Sequence, residues 1–512
     1  EIGAYQPIYI AGYIQDKFDF RDLKFNVGLR VDRFDANQKV LKDKYLMFEA
    51  KTAGELDIAN RPSNIGDDYV VYVKDVENPN ANDITGYRDG NVWYNAQGIE
   101  VTDPGTALAG TAGGVYPYLL DPSKRTADKI SGAAFKDYVP QISIMPRIAF
   151  AFPISDQANF FAHYDVLTQR PSANQTRLDP LQYMNSQNNT NGYINNPNLK
   201  PEKNTDYELG FAQVLNEKKN SVITLSAFYR ELRNMVQTAR VYQAYPVSYN
   251  SFENVDFGTV KGFSFTYELR RLSSGVQLTA NYTLQFADGT GSSASDGQNL
   301  VASGQPNLRT THPLDFDQRH TIVLNIDYRF GAGKDYSGPE FTMNKGKEGK
   351  EKRIKLLENV GANVVFRAGS GTPYSKQSNV TPTGQFGIST SSGLEGSING
   401  SNLPWNFRMD LRVDKNIELT WGGKKEGEEK KNAELNIYLQ VLNVLNTKNV
   451  INVYNATGSA TDDGYLASAT AQSTIQAQND PTAFSDLYNV KINNPSNFQR
   501  PRVIRLGLML SF

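Results

Sequence analysis

Residues with the chemistry of a catalytic or metal site are few in this 512-residue sequence. The three histidines, His163, His312 and His320, lie in different predicted elements, and no pair of them has the spacing of metal ligands. Cysteine is absent, which excludes thiolate nucleophiles and zinc–thiolate sites. No Gly-x-Ser-x-Gly turn supports a serine nucleophile. The sequence therefore predicts that the protein is not an enzyme.

Two stretches have the composition of ligand-binding loops. The glycine-rich run 369–374 lacks the Lys-Ser/Thr ending of a phosphate loop, so we interpret it as a turn at a strand end. Residues 75–83 supply oxygen ligands of the kind that calcium prefers, but with the spacing of no known calcium loop. We interpret that segment as a solvated turn, with calcium as the alternative and no other cofactor expected; its oxygen-bearing residues are Asp75, Glu77, Asn78, Asn80, Asn82 and Asp83.

Aromatic residues in the stretch 36–141 suggest a binding surface. The segments 69–73 and 91–95 are strand-like and aromatic, so this stretch is predicted to fold as a small β-rich cap. Aromatic rings stack well on sugars and peptides, and they also pack well inside small folded units. Both uses stay open for the four candidate residues, which are Trp93, Tyr94, Tyr116 and Tyr118.

The elements that must position these residues are strands with one apolar and one polar face. In Val276–Phe286 every second residue is apolar, and the residues between them are all polar. In His320–Phe330 the polar face carries Asp327 and Arg329. A dry core tolerates such charges poorly, whereas a water-filled lumen solvates them.

Similar alternation over roughly nine or more residues, the length that a tilted transmembrane strand needs, recurs along the whole chain. It predicts thirteen strands of an all-β, antiparallel transmembrane barrel. The predicted strands are 8–18, 23–34, 142–152, 159–167, 206–214, 222–231, 260–270, 276–286, 320–330, 360–368, 405–413, 435–445 and a terminal strand ending at Phe512.

The connections between these strands alternate between short and long. Short turns in the periplasm and long loops outside are typical of outer-membrane barrels. The short side also includes two charged segments, 331–355 and 421–432, which we interpret as solvated turns. The predicted long extracellular loops are 36–141, 169–204, 232–256, 288–317, 370–403 and 446–499.

The terminal strand places one continuous apolar row opposite Arg505, Gly507 and Ser511. Such a row is expected where one face meets lipid. A final aromatic residue resembles the C-terminal signature of bacterial outer-membrane barrels, which the barrel assembly machinery recognises. The predicted assembly signal consists of Ile504, Leu506, Leu508, Leu510 and Phe512.

Composition excludes other classes of protein. Hydrophobic residues make up 39%, mean hydropathy is −0.50, and no apolar run is long enough for a membrane-spanning helix. The net charge of −1 gives no basic footprint for a nucleic-acid partner. A soluble β-rich adhesin or lectin remains as an alternative, but it explains the charged inner faces badly.

Several motifs resemble the barrel of TonB-dependent outer-membrane receptors. They are the proline-bounded segment 196–202 with the strand 205–211, and the segments 11–16, 26–32 and 438–446. The run 138–154 followed by 163–171 is most similar to the large Oar-like branch of this family, found in Bacteroidota and myxobacteria. The resemblance extends over essentially the whole chain but only over the C-terminal part of such a receptor.

This resemblance implies a barrel of about 22 strands with a plugged lumen, of which these thirteen are a part. An odd number of antiparallel strands cannot close on itself, so we expect earlier strands to precede residue 1 or to lie on another chain. The resemblance also implies a plug and a TonB box outside these residues. Expected domains are strands in 1–35, the extracellular cap in 36–141, and strands with extracellular loops in 142–512.

The function implied is energised uptake of a scarce solute, of the siderophore, glycan or peptide class, across the bacterial outer membrane. The alternative is a structural barrel, or a secretion or assembly partner, without active uptake. Implied partners are outer-membrane lipid, the barrel assembly machinery, and the TonB complex through the missing N-terminal part. A surface lipoprotein or another outer-membrane protein is a further candidate partner.

Overall fold

The computed structural model describes residues 5–126, 130–184, 192–272, 275–298, 301, 309–344, 351–382, 393–422 and 430–512. Thirteen strands form one antiparallel sheet in chain order, which confirms the predicted all-β fold. They are β1 (Ile8–Phe20), β2 (Leu23–Asp35), β3 (Gln141–Ser155), β4 (Ala158–Gln169), β5 (Glu202–Val214), β6 (Ser221–Val241), β7 (Tyr249–Leu269), β8 (Val276–Gly289), β9 (His320–Arg329), β10 (Val360–Gly369), β11 (Asn406–Gly422), β12 (Lys430–Leu442) and β13 (Val503–Ser511).

The register of the sheet aligns the apolar faces of neighbouring strands. Directly paired residues point to the same side, so each pair assigns the same face to two strands. Leu506 of β13 pairs with Leu439 of β12, and Leu439 pairs with Val413 of β11. Ile504, Leu506, Leu508 and Leu510 are 55 to 76% exposed, on the face opposite Arg505 and Gly507. The sheet therefore has an apolar outer face.

Stacked aromatic rings border this outer face at both ends of the strands. At the short-turn end, Phe18, Phe25, Phe150 and Phe160 follow one another across β1 to β4 with centroids 5.2 to 6.2 Å apart. At the long-loop end, Tyr282, His320, Trp405 and Phe407 form a nearly parallel series with spacings of 5.6 to 6.2 Å. Two aromatic girdles around an apolar band are the features of a barrel wall that crosses a membrane.

The prediction of a loop at 232–256 is wrong for most of that segment. β6 and β7 stay paired from Met235 with Asp256 to Val241 with Tyr249, beyond an irregularity after Leu232. We call this projecting hairpin, residues 235–256, the ribbon. Its residues have no continuous apolar face, because it projects beyond the girdle and needs none. β11 likewise continues to Gly422, well past the predicted end at 413.

Residues 36–140, between β2 and β3, form a separate β-rich unit that we call the cap. Its five-stranded sheet has the order Glu100–Val101, Val92–Asn95, Ile84–Asp89, Val70–Val73 and Tyr116–Pro117. A second pair, Lys39–Leu41 with Phe135–Asp137, closes its base. The cap also contains the helix Pro104–Ala107 and the 3-10 turns Ala53–Glu55, Pro122–Lys124 and Gly132–Ala134.

The remaining connections contain short elements. Tyr193–Ile194 pairs with β7, and His312–Pro313 pairs with β8. Two further hairpins join Phe341–Asn344 with Glu351–Ile354 and Pro373–Tyr374 with Ser401–Asn402. The helices are Ala173–Thr176, Pro180–Met184, Ala469–Gln476 and Pro481–Ile492, with 3-10 turns at Gly333–Asp335, Tyr465–Ala467 and Pro495–Asn497.

Both predicted charged turns, 331–355 and 421–432, lie only partly within the described residues. Residues 345–350 of the first and 423–429 of the second lie outside them. In the described part of the chain, no helix has the length and apolar character needed to cross a membrane. The thirteen-strand path ends at β1 on one side and at β13 on the other, and no other described strand pairs with their outer edges.

The close approach of β7 to its neighbours depends on Gly262. A Cβ there would lie 2.1 Å from the backbone oxygen of Leu284 and 2.8 Å from the ring of Phe228, so the backbone would have to shift. At Gly28 of β2, which has a neighbouring strand on both sides, the nearest atom to the same position is 3.5 Å away, which is an ordinary contact. We predict that Gly262→Ala lowers the stability of the intact protein by about 1 to 3 kcal/mol.

Heat-modifiable migration on gels measures this effect as a lower temperature at which the folded band disappears. Gly28→Ala is the matched control, and its transition should stay within about a degree of the wild type, since the added methyl group makes only ordinary contacts. Equal transitions for the two variants would contradict the tight packing at Gly262.

Candidate functional site

The inner face of the sheet carries charged residues in compensating rows. Arg147, Asp165, Asp206 and Arg230 are paired in register across β3 to β6. Arg147 Nε lies 2.7 Å from Asp165 Oδ1, and Arg230 Nε lies 3.2 Å from both oxygens of Asp206. Each arginine is about half exposed, so each pair is worth roughly 0 to 1 kcal/mol. The row makes the wall hydrophilic and adds little stability.

A second inner contact spans three strands. Gly361 of β10 has no side chain, so Arg329 of β9 reaches across it, with Nη2 3.0 and 2.8 Å from the Asp414 oxygens on β11. Asn436 Nδ2 donates to Asp414 Oδ2 at 3.0 Å. The predicted charged residue Arg329 therefore lies on the inner face, in the network expected of a polar lumen. Asp327, also predicted there, pairs with Arg271.

The cap is fixed to the long-loop end of the sheet by a shared hydrophobic core. Leu46, Met47 and Phe48 of the cap pack with Tyr245 and Tyr249 of the ribbon, and Tyr183 and Ile194 from the β4–β5 connection complete the cluster. The hydroxyl of Tyr249 donates to the backbone oxygen of Lys44 at 2.7 Å. Burial raises the pKa of Tyr245 to about 12, so it remains neutral at physiological pH. Cap and ribbon thus form one packed unit.

A buried arginine holds the cap's sheet to its base. Arg88 is 3% exposed, donates to Tyr72 Oη at 2.8 Å and to the backbone oxygen of Gly90 at 2.7 Å, and forms an ion pair with Asp43. Its guanidinium also lies 4.6 Å from the ring centre of Tyr45. Burial lowers the pKa of Arg88, but Tyr72 and Asp43 outweigh it and raise the pKa overall, so the charge persists.

A polar groove of about 740 Å³ lies between the cap and the upper ends of β5 to β7. Lys44 of the cap and Glu253 of the ribbon form an ion pair of 2.7 Å within it. Asn254 Nδ2 donates to the backbone oxygens of Asn234 and Lys200 at 2.7 and 3.0 Å, which fixes the groove floor. Amide, carboxylate and ammonium groups of the lining can therefore hydrogen-bond a polar solute.

A second cavity, of about 520 Å³, lies on the inner face of the sheet, at the long-loop ends of β1 to β3. The guanidinium of Arg170 lies between the rings of Tyr9 and Phe34, 4.6 Å from each centre. Tyr9 donates to Asp32 at 2.5 Å and accepts from Arg30 at 2.8 Å. Residues of the β4–β5 connection and residues of the charged wall therefore line the same cavity.

The four aromatic candidates lie inside the cap or on its joints. Trp93 is 6% exposed and packs on Tyr72 at 5.0 Å, so its ring belongs to the cap's core. Tyr94 stacks on Tyr69, Tyr118 lies under the ammonium of Lys51, and Tyr116 meets Tyr245 edge-on. Those three tyrosines are half-buried, and their part in solute binding stays a prediction.

The three histidines and the acidic segment 75–83 make contacts with nearby residues. His163 Nε2 lies 3.5 Å from Glu208 on the inner wall, and His320, the first residue of β9, lies in the aromatic girdle at the long-loop end. His312 is buried and bonds Pro313. Asp75 accepts from the backbone of Glu77, and Asn80 accepts from that of Asn82. Among the described residues, no group of three or more His, Cys, Asp or Glu could hold a metal ion.

An apolar outer face, two aromatic girdles and a charged inner wall define an outer-membrane β-barrel. Residues 4–369 match the family model described as TonB dependent receptor-like, beta-barrel. The chain therefore belongs to the TonB-dependent receptor-like β-barrel family, whose members are receptors of the bacterial outer membrane. No curated protein sequence matches the chain.

Solved structures of three receptors are similar to the chain. The ferric-catecholate import receptor Fiu of Escherichia coli is 12% identical, with a TM-score of 0.41 over 88% of this chain and 42% of that one. The Serratia marcescens hemophore receptor HasR, solved with hemophore and heme, is 12% identical, with a TM-score of 0.42 over 87% and 49%. The Pseudomonas aeruginosa pyoverdine receptor FpvA is 10% identical, with a TM-score of 0.41 over 88% and 40%. The chain spans less than half the length of each.

Sequence reasoning missed most of the groove. Lys44, Asn198 and Glu253 come from three distant segments, and only the fold brings them together. The segment 196–202 resembles a family motif, and Asn196, Asn198 and Lys200 within it line the groove. Its dense run of amides was the one available signal of a binding surface.

From the ion pair between Arg88 and Asp43 we predict how a substitution changes the stability of the cap. Asp43→Ala leaves a buried guanidinium without its carboxylate, which we expect to cost the cap about 3 to 5 kcal/mol. The barrel wall shares none of these contacts. Limited trypsin digestion of the intact protein should therefore cut the cap of this variant faster, while heat-modifiable migration stays unchanged.

Lys42→Ala is the matched control, because Lys42 and Glu49 form an exposed pair worth about 0 to 1 kcal/mol. Its digestion should follow the wild type. Wild-type protease resistance in Asp43→Ala would show that the cap does not depend on Arg88.

Proposed function

We propose that the chain is the C-terminal barrel part of a TonB-dependent receptor for energised uptake of a scarce solute. The solute belongs to the siderophore, glycan or peptide class. The observation that carries the proposal is the polar groove above a charged inner wall. Asn234, Glu253 and Asn254 line the groove at the upper ends of β6 and β7, and Asp206 and Arg230 continue below them on the inner face. A solute held at the groove thus has a hydrophilic path inward.

The remaining receptor completes this proposal. β1 and β13 pair at their outer edges with further strands, which close a barrel of about 22 strands. A plug and a TonB box outside these residues provide the gate and the contact with the TonB complex. Support comes from the family match and from the chain's coverage of less than half of each solved receptor.

Further parts of the proposal concern the branch and its partners. The chain is placed in the Oar-like branch on its motifs in 138–171. The outward row of β13 contacts lipid and, with Phe512, engages the barrel assembly machinery. A surface lipoprotein is the proposed partner of the extracellular face, where the cap rises above the wall. Trp93, Tyr94, Tyr116 and Tyr118 are proposed to support solute binding from within the cap.

Uptake measurements in the source bacterium test the proposal. Radiolabelled ferric siderophore, oligosaccharide and oligopeptide are supplied to cells with the intact gene and to cells lacking it. We expect uptake of one class to be lost on deletion and abolished by an uncoupler, because energy reaches such receptors through the proton gradient. Unchanged uptake of all three would contradict the proposal and favour a structural or secretion barrel.

A groove-filling substitution localises the binding step. Asp89 lines the groove, so Asp89→Trp should reduce uptake of the transported solute by about tenfold or more. Glu100→Trp makes the same change of type at an exposed cap residue outside the groove and should leave uptake unchanged. Equal uptake by both variants would place solute recognition elsewhere.

A further inference from the structure

Three segments whose motifs resemble those of the family meet at the cavity of about 520 Å³ on the inner face of the wall. Residues within 138–143, 168–171 and 197–201 line it. The polar groove beside the cap takes no residue from the first two of these segments. Sites that hold small molecules have volumes of roughly 300 to 1,000 Å³. The cavity is therefore large enough for a ligand of its own.

The proline-bounded segment 196–201 separates the cavity from the groove. One set of its side chains is apolar and lines the cavity, namely Pro197, Leu199 and Pro201. The set between them is polar and lines the groove, namely Asn196, Asn198 and Lys200. The two sites therefore differ in chemistry, although they share a wall.

Arg170 places a positive charge in the cavity. Its guanidinium lies 4.6 Å from the ring centres of Tyr9 and Phe34. Tyr9 of β1 pairs directly with Phe34 of β2, so the two rings are neighbours on the inner face. Ring contacts use the flat face of a guanidinium, and its N–H groups lie in its plane. The rings thus hold the cation in place and leave its N–H groups free to donate.

The charge of Arg170 is uncompensated, unlike that of the arginines near it. Arg30 lies 2.8 Å from Asp32, and Arg147 lies 2.7 Å from Asp165. Asp32 is an acid of the cavity lining, but Arg30 already neutralises it. Within the described part of the chain, Arg170 forms no ion pair and no side-chain hydrogen bond. The cavity therefore attracts a group with one negative charge.

The rest of the lining is mostly apolar and neutral. Burial raises the pKa of Tyr138 to about 12, so its phenol carries no charge at physiological pH. Burial also raises the pKa of Tyr5, although the nearby Arg170 lowers it in part. Proline has no N–H to offer a ligand, and four prolines line the cavity, namely Pro7, Pro171, Pro197 and Pro201. An apolar group therefore fits between these walls, beside the cation.

The C-terminal residue of a peptide combines an apolar side chain with a single carboxylate. A carboxylate accepts two parallel hydrogen bonds from a guanidinium. Ser143 and Gln169 add a hydroxyl and an amide to the lining, which can pair with the N–H and C=O groups of a peptide backbone. A glycan would leave hydroxyl groups unpaired against the prolines and rings. A ferric catecholate brings more negative charge than one cation balances.

We propose that this cavity binds the C-terminal residue of a peptide, with the carboxylate on Arg170 and the apolar side chain against the prolines and aromatic rings. The inference rests on the proposed function and selects the peptide class from the three solute classes named there. Arg170 determines specificity, because it distinguishes a free C-terminus from an amide or from the interior of a chain.

Fluorescence anisotropy with the purified intact receptor in detergent tests the proposal. The probes are a fluorescein-labelled peptide ending in Ala-Ala-Phe, as the free acid and as the C-terminal amide. We expect the acid to bind about tenfold or more tightly than the amide, since only the acid forms a charge-assisted pair with the guanidinium. Equal binding of the two peptides, or no binding of the acid, would overturn the proposal.

The substitution Arg170→Gln separates a contact with the carboxylate from a structural role. It should weaken binding of the acid to the level of the amide and leave binding of the amide unchanged, whereas a structural role would weaken both. Equal loss of both peptides would therefore count against the proposal. So would displacement of the acid by millimolar acetate, which would indicate a site for any carboxylate.

Arg33→Gln is the matched control. Arg33 lies next to Phe34 on β2 but points to the other face of the sheet, and its side chain is 43% exposed. This variant should bind both peptides like the wild type, and both variants should keep heat-modifiable migration. A loss of acid binding in Arg33→Gln as large as that in Arg170→Gln would remove the evidence for a contact at Arg170 and contradict the proposal.

Uptake measurements separate this inference from the proposed function. Binding of the acid together with unchanged peptide uptake in the deletion strain would contradict the proposed function and support the peptide site. Loss of siderophore or oligosaccharide uptake on deletion, without binding of the acid, would support the proposed function and overturn the peptide site.

Discussion

Backbone hydrogen bonding in a membrane is the constraint on which this structure depends. No water is present in the hydrocarbon region, so every N–H and C=O there needs a partner in the protein. Thirteen strands paired in chain order meet this requirement from β2 to β12, each of which has a neighbour on both sides. The same pairing forces side chains to alternate between lipid and lumen. The apolar outer band, the charged inner rows and the aromatic girdles all follow from that alternation.

The strands that cross the membrane are predictable from the sequence because lipid imposes a strict period of two. All thirteen are confirmed, including β9, where the charges of Asp327 and Arg329 are enough to mark the inner face. Lipid imposes nothing beyond the girdle, and there the predictions fail. The alternation predicts a loop in place of the ribbon because neither face of the ribbon is continuously apolar, although its backbone is paired to Val241. The predicted end of β11 is too early because Lys415 interrupts the outward apolar row, which resumes at Ile417 and Leu419.

Less of the candidate site could be predicted from the sequence. A small sheet such as that of the cap buries aromatic residues on one face and exposes them on the other, and strands of two to four residues are too short to reveal which. Trp93 is consequently a core residue, packed against Tyr72. The groove depends on tertiary packing of the cap against the ribbon, through contacts such as that of Tyr249 with Lys44. Only the dense amides in the segment 196–202 indicated its position.

The central claim is that one face of each strand meets lipid and the other meets water. The 512 residues contain no cysteine, so single cysteines can be placed at will. On β9, Asn325 and Asp327 face inward, whereas Leu324 and Ile326 face outward. Labelling of the four single-cysteine variants in outer-membrane vesicles with a small water-soluble maleimide measures this directly. We predict fast labelling at 325 and 327 and slow labelling at 324 and 326. Equal labelling at all four positions would contradict the membrane-spanning wall.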